Sequence, residues 1–203
     1  MKNKFLVFLT MVVLFTTTCA FAMTFSDVSE DYWAISYISD LAEKQVVNGY
    51  PNGTFDPEGT ISRAEFLKLV IAASLPEGVD INTAPTAMAD HWAGKYLFAA
   101  ETYRVVEPGA INAENIDLPI TRREMVMMIG KADTNFRHNS LNSEQSITFT
   151  DFDVMDGSEL RYLTHSVSEG YLNGYPDGSF GPDNNMTRAE SATVIWRYTN
   201  KEA

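Results

Sequence analysis

Cysteine is almost missing from this sequence, since Cys19 is the one cysteine among 203 residues. We expect Cys19 to be removed with an N-terminal leader, so the mature chain would hold no disulfide, thiolate ligand or cysteine nucleophile. Basic residues are also scarce: 15 Lys and Arg stand against 27 Asp and Glu, for a formal net charge of −12. Such an acidic chain lacks the basic surface that nucleic acid and anionic lipid attract. We therefore predict no nucleic-acid partner.

The N-terminus has the pattern of a secretory signal peptide. Lys2 and Lys4 precede the run FLVFLTMVVLFTTTCAFA, in which Ala20 and Ala22 form a small-residue cleavage pattern. We predict a leader at 1–22, whose loss removes two lysines and takes the net charge from −12 to −14. An N-terminal anchor is the alternative, but the threonine-rich half leaves the apolar run short for a bilayer. We predict an exported protein with no membrane insertion after cleavage.

Two pairs of segments repeat with one shared offset. NGYPNGTF at 48–55 returns as NGYPDGSF at 173–180, and ISRAE at 61–65 returns as MTRAE at 186–190. A shared offset over such widely spaced positions indicates internal duplication.

A third copy lies between these two. ITRRE at 120–124 matches ISRAE, and the same shift aligns Trp33 with Trp92. The middle copy lacks the glycine turn and has EPGAINAENIDLP in its place. We predict three repeats at 24–75, 86–133 and 147–199, separated by polar segments that begin near 76 and 133.

Each repeat is predicted to form a helix, a loop and a second helix. In the first repeat, apolar residues from Trp33 to Ala42 recur at helical spacing and predict a helix over about 31–45. Proline, asparagine and glycine at 51–53 then predict a tight turn. The fold class is therefore mainly α, with three helix-loop-helix repeats that close into a pseudo-threefold bundle or prism. An open solenoid is the alternative.

The second helix of every repeat begins with the same cap pattern. A Ser or Thr followed three residues later by Glu is a capping box, in which each side chain bonds the other's backbone N–H. The predicted cap residues are Ser62, Glu65, Thr121, Glu124, Thr187 and Glu190.

An arginine follows each cap residue, namely Arg63, Arg122 and Arg188. A cation in the first turn opposes the helix dipole at a cost of some tenths of a kcal/mol, so its recurrence needs an explanation. One hypothesis pairs each arginine with a carboxylate of a neighbouring repeat. The other directs it at an anionic ligand that also meets free N–H groups at the helix N-terminus. Both hypotheses stay open on the sequence.

The remaining candidate chemistry is weak. Trp33 and Trp92 are expected in the core, with a sugar-stacking platform as the alternative. The segment at 173–183 lacks oxygen ligands where a calcium loop needs them, and the acidic segment at 151–157 lacks the distal glutamate. The histidines have no zinc spacing, and no nucleophile or phosphate-loop motif is present. We predict no metal, no cofactor and no catalytic residues.

The three copies resemble the surface-layer homology (SLH) family. The motifs that support the resemblance are FSDV, YWAISYISDLAEKQVVNGYPNGTFDPEGTISRAEF and GYLNGYPDGSFGPDNNMTRAES. The resemblance implies a three-lobed helical prism that holds exported bacterial proteins at the cell surface. The implied ligand is a secondary cell-wall polysaccharide carrying ketal-pyruvate groups, bound between repeats. In diderm relatives it can be peptidoglycan or its attached polyamines.

The resemblance also implies a set of ligand-binding residues. They are the arginines Arg63, Arg122 and Arg188, the turn glycines Gly53 and Gly178, and the early tryptophans Trp33 and Trp92. Because the middle repeat has no matching glycine and has Arg123 in place of alanine, we expect one or two competent grooves.

From these implications we predict a non-catalytic, cell-surface anchoring module that binds an anionic wall polysaccharide. We expect a monomer, with assembly into a surface layer left open. The alternative is a structural or adaptor protein that uses the arginines for salt bridges and binds another protein.

Overall fold

Six α-helices and one short 3-10 turn at Phe152–Val154 make up the regular structure of the computed structural model, which describes residues 25–76, 78–82, 88, 90–141 and 148–201. The helices are α1 (Ile35–Glu43), α2 (Arg63–Ser74), α3 (Gly94–Thr102), α4 (Arg122–Phe136), α5 (Gly157–Ser168) and α6 (Arg188–Thr199). No strand forms in these ranges, so the mainly α class is confirmed. None of these helices is long and apolar enough to cross a bilayer. The predicted leader at 1–22 lies outside the described residues.

The main helix contacts join different repeats. Helix α1 packs on α6, α3 packs on α2, and α5 packs on α4, while α2 also contacts α4 and α6. The first helix of each repeat therefore buries its apolar side against the second helix of the preceding repeat. Short helix pairs cannot bury such a face alone, which makes the three copies depend on one another.

Three backbone hydrogen bonds link the repeats in a closed cycle. Ile61 N–H donates to the carbonyl of Met186, Met186 N–H to that of Ile120, and Ile120 N–H to that of Ile61, at 3.1, 3.0 and 3.0 Å. All three side chains are essentially fully buried. The first and third repeats are thus in direct contact, which excludes the open solenoid. The prism shape stays a prediction.

Two predicted boundaries in the chain are wrong. Helix α1 begins at Ile35, so Trp33 lies before the helix and outside its apolar stripe. The polar separator expected from Asp133 starts inside α4, which continues to Phe136. Asp133 is fully buried, and hydrogen bonds from residues outside the helix stabilise its carboxylate there.

Asp133 accepts hydrogen bonds from three residues. Tyr171 Oη donates to Oδ1 at 2.8 Å, His165 Nε2 lies 2.8 Å from Oδ2, and Asn139 Nδ2 donates to Oδ2 at 3.1 Å. His165 is also fully buried. A buried carboxylate is tolerated only with such donors. The network joins α4 to α5 across the boundary between the second and third repeats.

We expect Asp133→Ala to lower the free energy of unfolding by about 3 kcal/mol, because buried donors lose their acceptor. Desolvation raises the pKa of Asp133, but the hydrogen bonds from His165, Asn139 and Tyr171 outweigh it and hold that pKa below its usual range. The carboxylate therefore contributes its full stability above about pH 4, and loses it as pH falls through the folded pKa. Urea titrations over this range should show the gap between variant and wild type narrowing in acid. A gap that does not change with pH would contradict the assignment.

Candidate functional site

Each second helix begins with a reciprocal cap. In α2, Glu65 N–H donates to Ser62 Oγ at 3.2 Å, and Ser62 N–H donates to Glu65 Oε2 at 2.9 Å. Helices α4 and α6 begin with the equivalent boxes, Thr121 with Glu124 and Thr187 with Glu190. In all three boxes one glutamate oxygen is used by its own helix.

The other N–H groups of the first turn are also bonded. In α2, Arg63 N–H donates to the carbonyl of Leu118 and Ala64 N–H to that of Ile116. The first two N–H groups of α4 and of α6 likewise donate to carbonyls of another repeat. The hypothesis that an anionic ligand meets free N–H groups at these helix ends is therefore wrong, because the neighbouring repeat already occupies them.

The second oxygen of each cap glutamate faces an arginine of another repeat. The pairs are Arg63 Nη2 with Glu124 Oε1 at 2.7 Å, Arg122 Nη1 with Glu190 Oε1 at 3.7 Å, and Arg188 Nη1 with Glu65 Oε1 at 3.1 Å. We call these contacts the arginine–glutamate ring. The first repeat pairs with the second, the second with the third, and the third with the first. The salt-bridge hypothesis for the arginines therefore describes what the structure contains.

Arg188 also holds the turn of the first repeat. Its Nε donates to the carbonyl of Phe55 at 2.8 Å and its Nη2 to that of Asn48 at 3.2 Å. The guanidinium carbon lies 4.9 Å from the ring centroid of Tyr50 and 4.8 Å from that of Phe55. Only 9% of the residue is exposed. These bonds and ring contacts outweigh the small dipole penalty of a first-turn cation.

Arg122 does the same for the turn of the third repeat. Its Nε donates to the carbonyl of Phe180 at 2.8 Å and its Nη2 to that of Asn173 at 3.0 Å, with the Tyr175 ring centroid 4.5 Å from the guanidinium. In the middle repeat, where the glycine turn is missing, Arg63 Nη1 donates to the carbonyl of Asn115 at 3.2 Å.

The turn glycines shape the turns from outside the grooves described below. Gly53 and Gly178 have φ of 82° and 86°, a conformation that favours glycine. Their N–H groups donate to the carbonyls of Tyr50 and Tyr175 at 2.9 and 3.0 Å. Neither glycine is among the lining residues of grooves A and B, and each is bonded to the tyrosine that lines one of them.

Two aspartates that the sequence analysis did not single out also hold the turns. Asp27, in FSDV, accepts from the N–H groups of Phe55 and Asp56, both at 2.7 Å. Burial raises the pKa of Asp27, but the hydrogen bonds from these backbone donors together lower it by more. The pKa of this carboxyl is therefore below its usual range. Asp151 accepts from Phe180 and Gly181 N–H groups in the same way. The available signal was a short motif before each repeated turn, in which the aspartate follows Phe and then Ser or Thr.

A groove with a volume of about 530 Å³ lies where all three repeats meet, and we call it groove A. The first repeat contributes Tyr50, the second contributes Trp92, and the third contributes Arg188. Lys68 and Lys95 also line it. Aromatic faces beside cations suit a ligand that has both apolar sugar faces and acidic groups.

Groove B, of about 610 Å³, is the equivalent site one repeat away. Tyr175 comes from the third repeat, Trp33 from the first, and Arg122 from the second, and Arg197 completes the set of cations. Two of the three arginines and both tryptophans named by the sequence thus line grooves.

The third position differs from the other two. Groove C is about 190 Å³ and lies between the second and third repeats. Met127 stands in it where Lys68 stands in groove A, and Arg123 and Glu159 form an ion pair at 3.1 Å on its lining. Arg63 is not among the lining residues. The replaced turn of the middle repeat accompanies this smaller site, whose remaining cation, Lys131, is paired with Glu107 at 2.8 Å.

The expectation that the two tryptophans lie in the core is wrong. Trp33 is 55% exposed and Trp92 is 53% exposed. Both precede their helices, so their side chains project into the grooves beyond the buried stripe. Tyr50, at 43% exposed, joins Trp92 in groove A.

Sequence reasoning missed the groove cations Lys68, Lys95 and Arg197. Each lies outside the repeated motifs, and no conserved spacing marks it in the three copies. A lysine or arginine on a helix is ordinarily solvated, so only the tertiary arrangement shows which of them line a groove.

The S-layer homology domain model matches two segments of the chain, 24–67 and 148–192. The middle repeat lies outside these segments. An endoglucanase of Bacillus sp. strain KSM-635 is 31% identical over 180 residues, which are 86% of this chain and 18% of the endoglucanase. The cellulosome-anchoring protein of Acetivibrio thermocellus is 24% identical over 181 residues, which are 87% of this chain and 26% of that protein.

The S-layer protein EA1 of Bacillus anthracis is 28% identical over 174 residues, which are 85% of this chain and 20% of that protein. This chain therefore spans about a quarter or less of the length of these three relatives.

We expect Arg188→Met to lower the free energy of unfolding by about 2–4 kcal/mol, because two buried carbonyls and Glu65 lose their donor. Arg188→Lys should restore little of this loss, since an ammonium group cannot serve all three acceptors in the same plane. Urea denaturation of both variants measures the effect. Arg161→Met, on the exposed face of α5, is the matched control and should stay within about 0.5 kcal/mol of wild type. Equal stability of Arg188→Met and Arg161→Met would refute the role of the ring.

Proposed function

We propose that this chain is a non-catalytic cell-surface anchoring module that binds an anionic cell-wall polysaccharide in grooves A and B. The domain match and the S-layer and cellulosome-anchoring relatives indicate a secreted protein associated with the cell surface or cell wall. Ketal-pyruvate is the acidic substituent that we propose for the polysaccharide. A peptidoglycan-linked ligand is the alternative wall component.

The observation that carries the proposal is that two grooves are assembled in the same way. Each receives a half-exposed tryptophan from one repeat, a turn tyrosine from a second and an arginine from the third. A sugar ring can stack on the aromatic faces while its acidic substituents meet the cations. A protein whose arginines served only the fold would not need the exposed tryptophans.

The site residues have different proposed parts in binding. We propose Trp33 and Trp92 as stacking platforms and Arg122 and Arg188 as groove-lining residues that hold the walls. Gly53 and Gly178 set the turns, while Arg63 serves the ring at the diminished groove C. We therefore propose that grooves A and B are both competent to bind, which is the larger of the two numbers expected from the sequence.

We expect Trp92→Ala and Trp33→Ala, combined in one variant, to weaken binding to purified cell walls by about tenfold or more, because exposed aromatic anchors carry much of the affinity of such sites. Sedimentation with walls before and after chemical extraction of the acidic polysaccharide measures this. Wild-type binding should be lost on extraction. Phe152→Ala, which removes an aromatic that is 44% exposed outside the grooves, is the matched control and should bind normally.

Three outcomes of this experiment speak against the proposal. Binding that survives extraction favours the peptidoglycan-linked ligand, and binding that survives both tryptophan substitutions removes the grooves from the interaction. A complete lack of binding to walls supports the alternative, an adaptor that binds another protein. The pairing of all three arginines within the protein is consistent with that alternative.

Salt dependence gives a second check. An acidic protein that binds an acidic polymer is repelled by net charge, so attraction must come from a few groups in partly enclosed grooves, where screening is weak. We expect the association constant to fall by about tenfold or less between low and physiological salt. A fall of about a thousandfold would indicate binding through dispersed surface charge and would contradict the proposed grooves.

A further inference from the structure

Acidic groups of a groove ligand need a cation that still has donors to offer. Arg188 already directs Nε, Nη1 and Nη2 at three acceptors, and only about a tenth of its side chain is exposed. Arg122 is bonded in the same manner and is more deeply buried. An anion that recruited either guanidinium would compete with the bonds that hold the turns, so these arginines are poor primary partners for it.

Groove A contains two other cations. Lys68 lies on α2, one turn after Glu65, and Lys95 lies in the first turn of α3. Lys68 Nζ has a long contact of 3.4 Å to the carbonyl of Val46, and Lys95 Nζ donates to Asn82 Oδ1 at 2.7 Å. Over the described part of the chain, no carboxylate lies within 4.0 Å of either ammonium group.

Groove B has a different charge arrangement on the same frame. Thr193 lines groove B at the position of Lys68, and Ser36 is the residue that corresponds to Lys95. Its additional cation is Arg197, whose guanidinium lies 5.9 Å from the Tyr37 ring centroid. One cation therefore lies in groove B where two lie in groove A, beyond the arginines of the ring.

We propose that Lys68 and Lys95 bind the acidic groups of the ligand in groove A, that Arg197 does so in groove B, and that groove A is consequently the tighter site for an acidic saccharide. This inference rests on the proposed function. The ring arginines are then positioning residues, and the affinity and charge selectivity of each groove are set by residues that the repeated motifs do not contain.

The electrostatics of groove A agree with this assignment. Burial and the positive charge of Arg188 lower the pKa of Lys68, and only Glu65 acts in the opposite direction. Glu65 is itself committed to Arg188 and to its own helix cap. A ligand carboxylate beside Lys68 would supply the negative charge that this part of the groove lacks.

The test uses calorimetric titration with two synthetic disaccharides, one carrying a single ketal-pyruvate group and the other its neutral counterpart. Wild-type protein should bind the acidic disaccharide at two sites of unequal affinity, and the neutral one more weakly. Lys68→Met/Lys95→Met should weaken the tighter site by about tenfold or more and leave the other unchanged. Arg197→Met should weaken the second site and spare the first.

Two controls separate charge from folding. Lys44→Met removes one positive charge outside both grooves, where Lys44 pairs with Asp40, and should bind as wild type. Lys68→Arg/Lys95→Arg keeps the positive charge and should recover most of the affinity. Urea denaturation should give all of these variants a free energy of unfolding close to that of wild type, whereas that of Arg188→Met should be lower.

The outcomes distinguish this inference from the proposed function. If wild type sediments with walls but the double lysine variant binds the acidic disaccharide with unchanged affinity, the lysine assignment is overturned and the function stands. If wild type binds the acidic and neutral disaccharides equally, or neither of them while still binding walls, the assignment is likewise overturned. Failure of wild type to sediment with walls removes the proposed function itself.

Discussion

The structure depends on the cap glutamates, because each of them uses its two carboxylate oxygens for two different contacts. In every repeat, one oxygen of the cap glutamate closes its own helix N-terminus, and the other faces an arginine of a different repeat. Because that arginine follows a cap residue itself, the same short motif both starts a helix and links it to the next repeat. Three copies make a closed set, and two copies would leave one arginine and one glutamate without partners. Local capping and tertiary closure are thus one interaction.

The grooves are a consequence of that closure. Arginines that hold the turns at Asn48–Phe55 and Asn173–Phe180 also fix the tyrosines at the groove edges, and the neighbouring repeat brings a tryptophan opposite. Where the turn motif is replaced, Arg63 has another acceptor in Asn115, and the adjoining groove is smaller and has methionine in place of lysine. The fold can therefore tolerate the loss of a groove, because closure needs only the cap and the arginine.

Residues that recur in the repeats serve closure, whereas residues that differ between repeats line the grooves. Recurrence in all three repeats marks what the closed arrangement requires at every junction, namely the caps and the arginines, while the turn glycines recur only in the first and third repeats. Lys68, Lys95 and Arg197 differ between positions that the repeats make equivalent, so their chemistry can vary without disturbing the frame. The buried Asp133 network also occurs at one junction, between α4 and α5, and adds polar contacts specific to the second and third repeats.

The sequence by itself determined the mainly α class and the start of each second helix, because helical periodicity and capping depend on residues close together in the chain. It predicted the three copies from the offsets between short repeated motifs. Even the odd position of the arginines was visible, and so was a carboxylate partner as one of two explanations. Only the tertiary structure decided that this partner is the cap glutamate of another repeat, that the first-turn N–H groups are occupied, and that Trp33 and Trp92 are exposed. Each of these depends on which repeats are neighbours in the folded protein. The neighbouring repeat decides whether a side chain is buried, and the local sequence pattern does not specify that neighbour.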